Sequence, residues 1–243
     1  MHQRATDVLE PASTDLDHPR TGRSRALTAA LLILCAVGLW LALAGIGGLL
    51  TKVLYPDQVP PFDQAAVQWL AENRTPALDI ATRIGSGLSD TATAVVVATI
   101  AFFVLRWRLG RWHESWVVAA AIAGELMVFL AVTATVMRDR PDVPRLDAAP
   151  PTSSFPSGHT AAAVALYGAI VVILLRLGRP GPGRTVIATV LCLFPVIVAV
   201  SRVYRGMHYP SDVVFGAIGG GLWLLAVVLL LYPRRPALEA GRE

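Results

Sequence analysis

Apolar positions gather into six long runs, at roughly 27–50, 89–105, 116–137, 160–177, 185–200 and 213–232, with short polar segments between them. A helix needs about 20 apolar residues to cross a bilayer core. The pattern therefore predicts an all-α, polytopic membrane protein with six transmembrane helices. The fifth run is short for a span, which leaves its ends open. The first is too long for a signal-peptide core and no small-residue cleavage site follows it, so it reads as a retained span. Between the first two runs, FDQAAVQWLAENRTPALDIATRIG places Phe62, Ala66, Trp69, Leu70, Leu78, Ile80 and Ile84 at helical spacing. That predicts an amphipathic segment over about 60–85, lying at the outer membrane surface and broken at Pro76. Residues 1–26 are polar and poor in aromatics, as a disordered cytoplasmic arm would be. Residues 233–243 form a short solvated tail, and a single six-span domain over 27–232 accounts for the rest.

Composition agrees with a membrane protein: 54% of the 243 residues are hydrophobic and only 16% charged. The net charge of +4 is modest, and the arginines are dispersed without an aromatic-interleaved basic face, which argues against nucleic acid as a partner. Cys35 and Cys192 fall inside apolar runs and read as small buried hydrophobes, offering neither a disulfide framework nor a metal-binding pair. With a cytoplasmic N-terminus, the inner segments hold thirteen of the 21 lysines and arginines and the outer segments eight. That bias places both termini in the cytoplasm. Five of the eight outer charges sit in 138–145 and 202–205, and those need another reason to be there.

Three polar clusters adjoin the runs, all on the outer side, so the helix bundle is expected to carry a site opening to that face. TATVMRDRP (133–141) ends the third run, and Pro141 is expected to stop its helix just after Arg140. SSFPSGHT (153–160) opens the fourth. There Ser157 is a natural N-cap, Gly158 permits close backbone approach, and the helix start offers N–H groups and a positive dipole end to phosphate. His159 falls in that first turn, at the mouth of the pocket or simply at the interface. SRVYRGMHYPSD (201–212) lies between the fifth and sixth runs. Arg202 can present a bidentate fork to phosphate. His208 and Asp212 are four apart with Pro210 at a natural first helical position, so the carboxylate can orient the ring as in a catalytic triad. His208 then becomes a candidate nucleophile. Arg205 reads either as part of the site or as an arginine snorkelling to headgroups.

Two other acidic features invite chemistry. Asp139, Asp142 and Asp147 read as a solvated loop, since RPDVPRLDAAPP does not converge several carboxylates into a cation cage. Glu125, midway along the third run, reads as a bundle-facing acid paired with a serine, threonine or arginine.

The three clusters together resemble the type 2 phosphatidic acid phosphatase superfamily, whose pattern is Lys-x6-Arg-Pro, Pro-Ser-Gly-His and Ser-Arg-x5-His-x3-Asp. Here they are Arg140-Pro141, Pro156-Ser157-Gly158-His159, and Ser201-Arg202 with His208 and Asp212 at the family spacing, over about residues 88–232. The resemblance implies removal of phosphate from a lipid phosphate or pyrophosphate without a metal or other cofactor. It implies that His208 attacks phosphorus, Asp212 orients it, and His159 protonates the leaving oxygen. Arg140, Arg202, Ser157 and the Gly158 backbone would hold the phosphoryl oxygens. One position departs: where the family places lysine, this chain has Thr133. Its hydroxyl can hydrogen-bond an oxyanion but adds no charge. It is expected two helical turns below Arg140 on the same face, and Arg138 could compensate only if the helix ends early. The motifs do not separate a glycerolipid phosphatase from an undecaprenyl or other polyprenyl pyrophosphate phosphatase. A non-catalytic binder of anionic lipids would share the phosphate pocket but would not need the His208–Asp212 pair. Vanadate-dependent haloperoxidases share the phosphate-site pattern, from which six spans set this chain apart.

Overall fold

The computed structural model describes residues 24–56, 59–177 and 181–231. The polar arm lies almost wholly outside the described residues, and the tail lies outside them entirely. All regular structure among the described residues is helical: α1 (Arg25–Gly48, continued by a π-helical turn, Leu49–Leu54), α2 (Pro61–Glu72), α3 (Pro76–Gly87), α4 (Thr91–Leu109), α5 (His113–Val136), α6 (Gly158–Arg176), α7 (Pro182–Tyr204) and α8 (Pro210–Leu231). Six of them are long and apolar enough to cross a membrane. The fifth, short in sequence, gains a turn at each end and runs the full length of α7. Pro182 at its first turn and the polar Ser201–Arg202 at its last lie outside the apolar run but inside the helix.

Small residues set the packing. α6 is the central helix, touching α4, α5, α7 and α8, and it buries Ala161, Ala163, Ala165 and Ala169. α8 meets it through Gly216 and Gly220, the Gly-x-x-x-Gly pair. A Cβ on Gly216 would stand 2.5 Å from the Ser157 carbonyl oxygen, and one on Gly220 would stand 2.5 Å from that of Ala161. The start of α8 is thereby pinned against the start of α6. Outward faces are apolar: Ile33 and Leu34 of α1, Ile100 and Phe103 of α4, and Val196 of α7 are all exposed, as lipid-facing positions must be. Cys35 and Cys192 belong to this outward set, contrary to the burial expected of them. The protein is a multi-pass membrane protein.

The amphipathic segment is broken as expected, with Pro76 opening a new helix behind the Thr75 N-cap. α2 exposes Phe62 and Trp69 while burying Asp63 and Val67. α3 packs along α7 and does not lie free on the surface.

Candidate active site

Three connections meet at one end of the bundle: 137–157 between α5 and α6, 205–209 between α7 and α8, and the α2–α3 pair. Arg74, between α2 and α3, donates to the carbonyls of Tyr204 (3.1 Å) and Pro144 (2.6 Å). The Leu146 N–H donates to the Arg205 carbonyl at 3.1 Å. The first connection begins earlier than expected. α5 ends at Val136, because Met137 adopts a left-handed conformation (φ 52°) that turns the chain out of the helix. Arg138 N–H then donates to Ser153 Oγ (2.9 Å), and Ser154 N–H to the Arg138 carbonyl (2.8 Å). Pro141 therefore does not terminate the helix, and Thr133 and Arg140 do not share a helical face.

At the centre lies His208, 3% exposed. Its Nδ1 sits 2.7 Å from the Ser154 carbonyl oxygen. A carbonyl only accepts, so Nδ1 carries the proton and Nε2 keeps its lone pair. Nε2 is 3.5 Å from Nη1 of Arg140. Asp212 Oδ2 is 3.8 Å from Nδ1, an ionic contact too long for a hydrogen bond. The direct carboxylate–imidazole bond expected from the i, i+4 spacing is thus replaced by Ser154. Its carbonyl accepts a hydrogen bond from the imidazole Nδ1–H, while its hydroxyl donates to Asp212 Oδ2 at 2.5 Å. Asp212 also accepts from the Tyr209 N–H (2.9 Å) and from Arg138 Nη1 (2.5 Å). Burial pushes the His208 pKa below the ordinary imidazole value, and the charges of Arg202 and Arg140 push the same way against Asp212.

Arg140 is held by the chain around it. Nη1 donates to the Met207 carbonyl at 2.8 Å, and Nη2 to Thr152 Oγ1 at 3.2 Å. Arg202 donates from Nη1 to Ser86 Oγ (2.9 Å) and Asp147 Oδ2 (3.1 Å). Nε of both arginines is buried without an acceptor among the described residues. Ser157 stands at the N-cap of α6, but its hydroxyl accepts from Thr160 Oγ1 (3.0 Å) and leaves the helix uncapped. The open N–H groups of that first turn and the two unsatisfied guanidinium N–H groups match the needs of an oxyanion. Gly158 lets α6 begin against the Phe129 ring, which a Cβ would meet at 2.8 Å. His159 lies within electrostatic reach of His208 and Arg202, and its Nε2 is 3.0 Å from Asp90 Oδ1.

Several residues play parts the sequence did not suggest. Asp147 is no solvated loop acid: Arg205 grips it with two bonds, at 2.7 and 2.6 Å, and holds its pKa below the ordinary carboxylate value. Arg205 is 4% exposed and also bonds the Asp79 carbonyl, so it clamps the loop and does not reach for headgroups. Asp90 and Ser154 were both missed. Asp90 directly precedes an apolar run, an N-cap signature that could have drawn attention to it. Ser154 carries no such signal. Thr133 is buried, its hydroxyl without a partner among the described residues, in a cleft of about 450 Å³ that it shares with Thr152, Ser153, Arg138 and Asp139. Thr152 and Ser153 of that cleft also accept from Arg140 Nη2. Arg138, freed by the early helix end, lines the same cleft with its guanidinium paired to Asp63 and Asp212. Glu125 Oε1 has no hydrogen-bond partner among the described residues, so the expected pairing with serine, threonine or arginine does not occur. It shares a small cavity with Leu43, Phe129 and Trp223.

Fold and geometry define a polytopic membrane protein with a buried histidine beside two arginines at one end of its bundle. The sequence profile of the PAP2 superfamily matches residues 115–236, half of the chain, and the chain belongs to that superfamily. Its fold is similar to that of a transmembrane PAP2-type phosphatidylglycerolphosphate phosphatase from Bacillus subtilis, with a TM-score of 0.66 and 21% identity over 82% of this chain and 93% of that one. It is also similar to Aquifex aeolicus LpxE, with a TM-score of 0.56 and 22% identity over 69% of this chain and 94% of that one. No curated protein matches the chain in sequence.

Proposed function

We propose that the protein is a membrane lipid phosphatase that cleaves a lipid phosphomonoester or pyrophosphate through a phosphohistidine at His208. The observation that carries this reading is the fixed tautomer: the Ser154 carbonyl at 2.7 Å holds the proton on Nδ1 and leaves the Nε2 lone pair beside Arg140. A neutral, desolvated imidazole next to guanidinium groups is a nucleophile aimed at an anion.

In this scheme Nε2 attacks phosphorus, the bond from phosphorus to the leaving oxygen breaks, and His159 donates its proton to that oxygen. Asp212, 3.8 Å from Nδ1, offsets the positive charge the ring acquires. Water then attacks the phosphohistidine, His159 takes its proton, and inorganic phosphate leaves with His208 restored. Arg140, Arg202, Ser157 and the Gly158 N–H hold the phosphoryl oxygens, and removal of such a donor costs on the order of 10²–10³ in rate. Thr133 contributes at most a hydroxyl contact through its cleft. The site faces the extracytoplasmic side, with both chain ends in the cytoplasm.

The Bacillus relative's name makes phosphatidylglycerol phosphate the first substrate to test, beside phosphatidic acid and a polyprenyl pyrophosphate. The purified protein is expected to release phosphate from at least one of these in the presence of a chelator, and His208→Ala to release none. Undiminished turnover by His208→Ala would rule the scheme out. Tight binding of all three lipids without release would favour a non-catalytic lipid binder.

A further inference from the structure

Asp63 lies outside every motif, on the first turn of α2, and is 1% exposed. Its Oδ1 accepts from the Ser211 N–H at 2.9 Å; its Oδ2 accepts from the Ser211 hydroxyl and from Arg138 Nη2 at 2.8 Å. Arg138 spends its other nitrogen on Asp212 Oδ1 (2.5 Å) and Ser211 Oγ (2.8 Å), with its guanidinium 4.4 Å above the Tyr209 ring. Asp63, Arg138 and Asp212 are each at least nine-tenths buried. A single carboxylate would suffice to neutralise a buried guanidinium. Two are present, so the trio carries a net charge of −1, and Arg138 is divided between them. The two acids hold its pKa above the ordinary value even though burial pulls it down.

We infer that Asp63 is a positioning residue for the phosphatase reaction: by drawing half of Arg138 away, it leaves Asp212 with negative charge to present to His208. This rests on the phosphatase reading above. The chain of contacts is continuous, from Asp63 to Arg138 to Asp212, and then across 3.8 Å to Nδ1 of His208. The other charged or titratable groups facing His208 are Arg140, Arg202 and His159. None of these contacts Asp63. α2 also exposes Phe62 and Trp69, while Asp63 and Val67 turn inward.

The charge arithmetic gives a test with a fixed sign. In wild type the trio sums to −1; in Asp63→Asn it sums to 0; in the double variant Asp63→Asn/Arg138→Gln it returns to −1. In full-length protein in detergent, the His208 titration is read by ¹⁵N-histidine NMR, with the resonance assigned by its loss in His208→Gln. Phosphate release from phosphatidylglycerol phosphate is measured in parallel. Asp63→Asn is expected to lower the pH at which His208 titrates and to reduce kcat about tenfold, as one pK unit of lost stabilisation would, with KM within about twofold. The double variant is expected to bring the titration back towards wild type and to recover part of kcat. An unchanged His208 titration in folded Asp63→Asn, or a double variant lower than the single, would overturn the inference. If Asp63→Asn does not fold, Arg138→Gln, in which the trio sums to −2, is compared with the double variant, which must titrate at lower pH; equal titration would overturn the inference. A wild type that titrates as expected but releases no phosphate from any of the three lipids would instead sink the phosphatase reading.

Discussion

Ser154 joins His208 and Asp212 where the bare motif would join them directly. It offers a carbonyl to the imidazole and a hydroxyl to the carboxylate, so one residue sets the tautomer and anchors the acid. The tautomer matters because only Nε2, beside Arg140, can meet a phosphoryl group. The His208 pKa lies below the ordinary imidazole value of about 6.5, through burial first and the charges of Arg202 and Arg140 next. The nucleophile must be neutral, so the acid limb of kcat/KM is expected below the pH where a free imidazole titrates. Arg140→Gln removes one of the charges that depress it. That variant should lose rate and also move the acid limb to higher pH, measured on the same lipid. An acid limb that stays in place would show that Arg140 does not act on His208.

At the scale of elements, the site depends on how closely α8 can approach α6. A Cβ on Gly220 would stand 2.5 Å from the Ala161 carbonyl oxygen. Gly220→Ala is therefore expected to cost about 1–3 kcal/mol, the usual range for overpacking, and to lower the unfolding temperature in detergent. Gly38, on α1, has nothing within 4 Å of its notional Cβ, so Gly38→Ala should show no loss. Most helices were legible in the sequence because an apolar run in a membrane has little choice but to be a helix. Their ends were less so. The α5 terminus depends on a left-handed Met137, a conformation that no glycine or asparagine announces. Without that turn, Arg140 would continue the helix and Thr133 would lie beneath it. Asp212 sits in a motif and Asp63 and Asp147 do not, yet all three are held by buried arginines. Their partners come from elements 55 to 75 residues away, a separation that no local pattern encodes.

Across the whole molecule, the two ends differ in character. The α4–α5 end carries exposed Trp107, Trp112 and Trp116 with Arg106 and Arg108 stacked on two of them, as at a membrane interface on the positive side. The opposite end carries the site and the α2–α3 pair. With Cys35 and Cys192 replaced by alanine, a cysteine at Ala149 should react with a membrane-impermeant maleimide on intact cells. One at Arg108 should not, and the reverse pattern would invert the topology. His208 as the nucleophile is tested by trapping the phosphohistidine. Purified protein is mixed with ³²P-labelled lipid phosphate, quenched within its first turnover under alkaline denaturing conditions, and digested. The expected result is one acid-labile, alkali-stable phosphopeptide containing His208, present in wild type and absent from His208→Ala. Label on any other residue, or steady phosphate release with no labelled histidine, would contradict it.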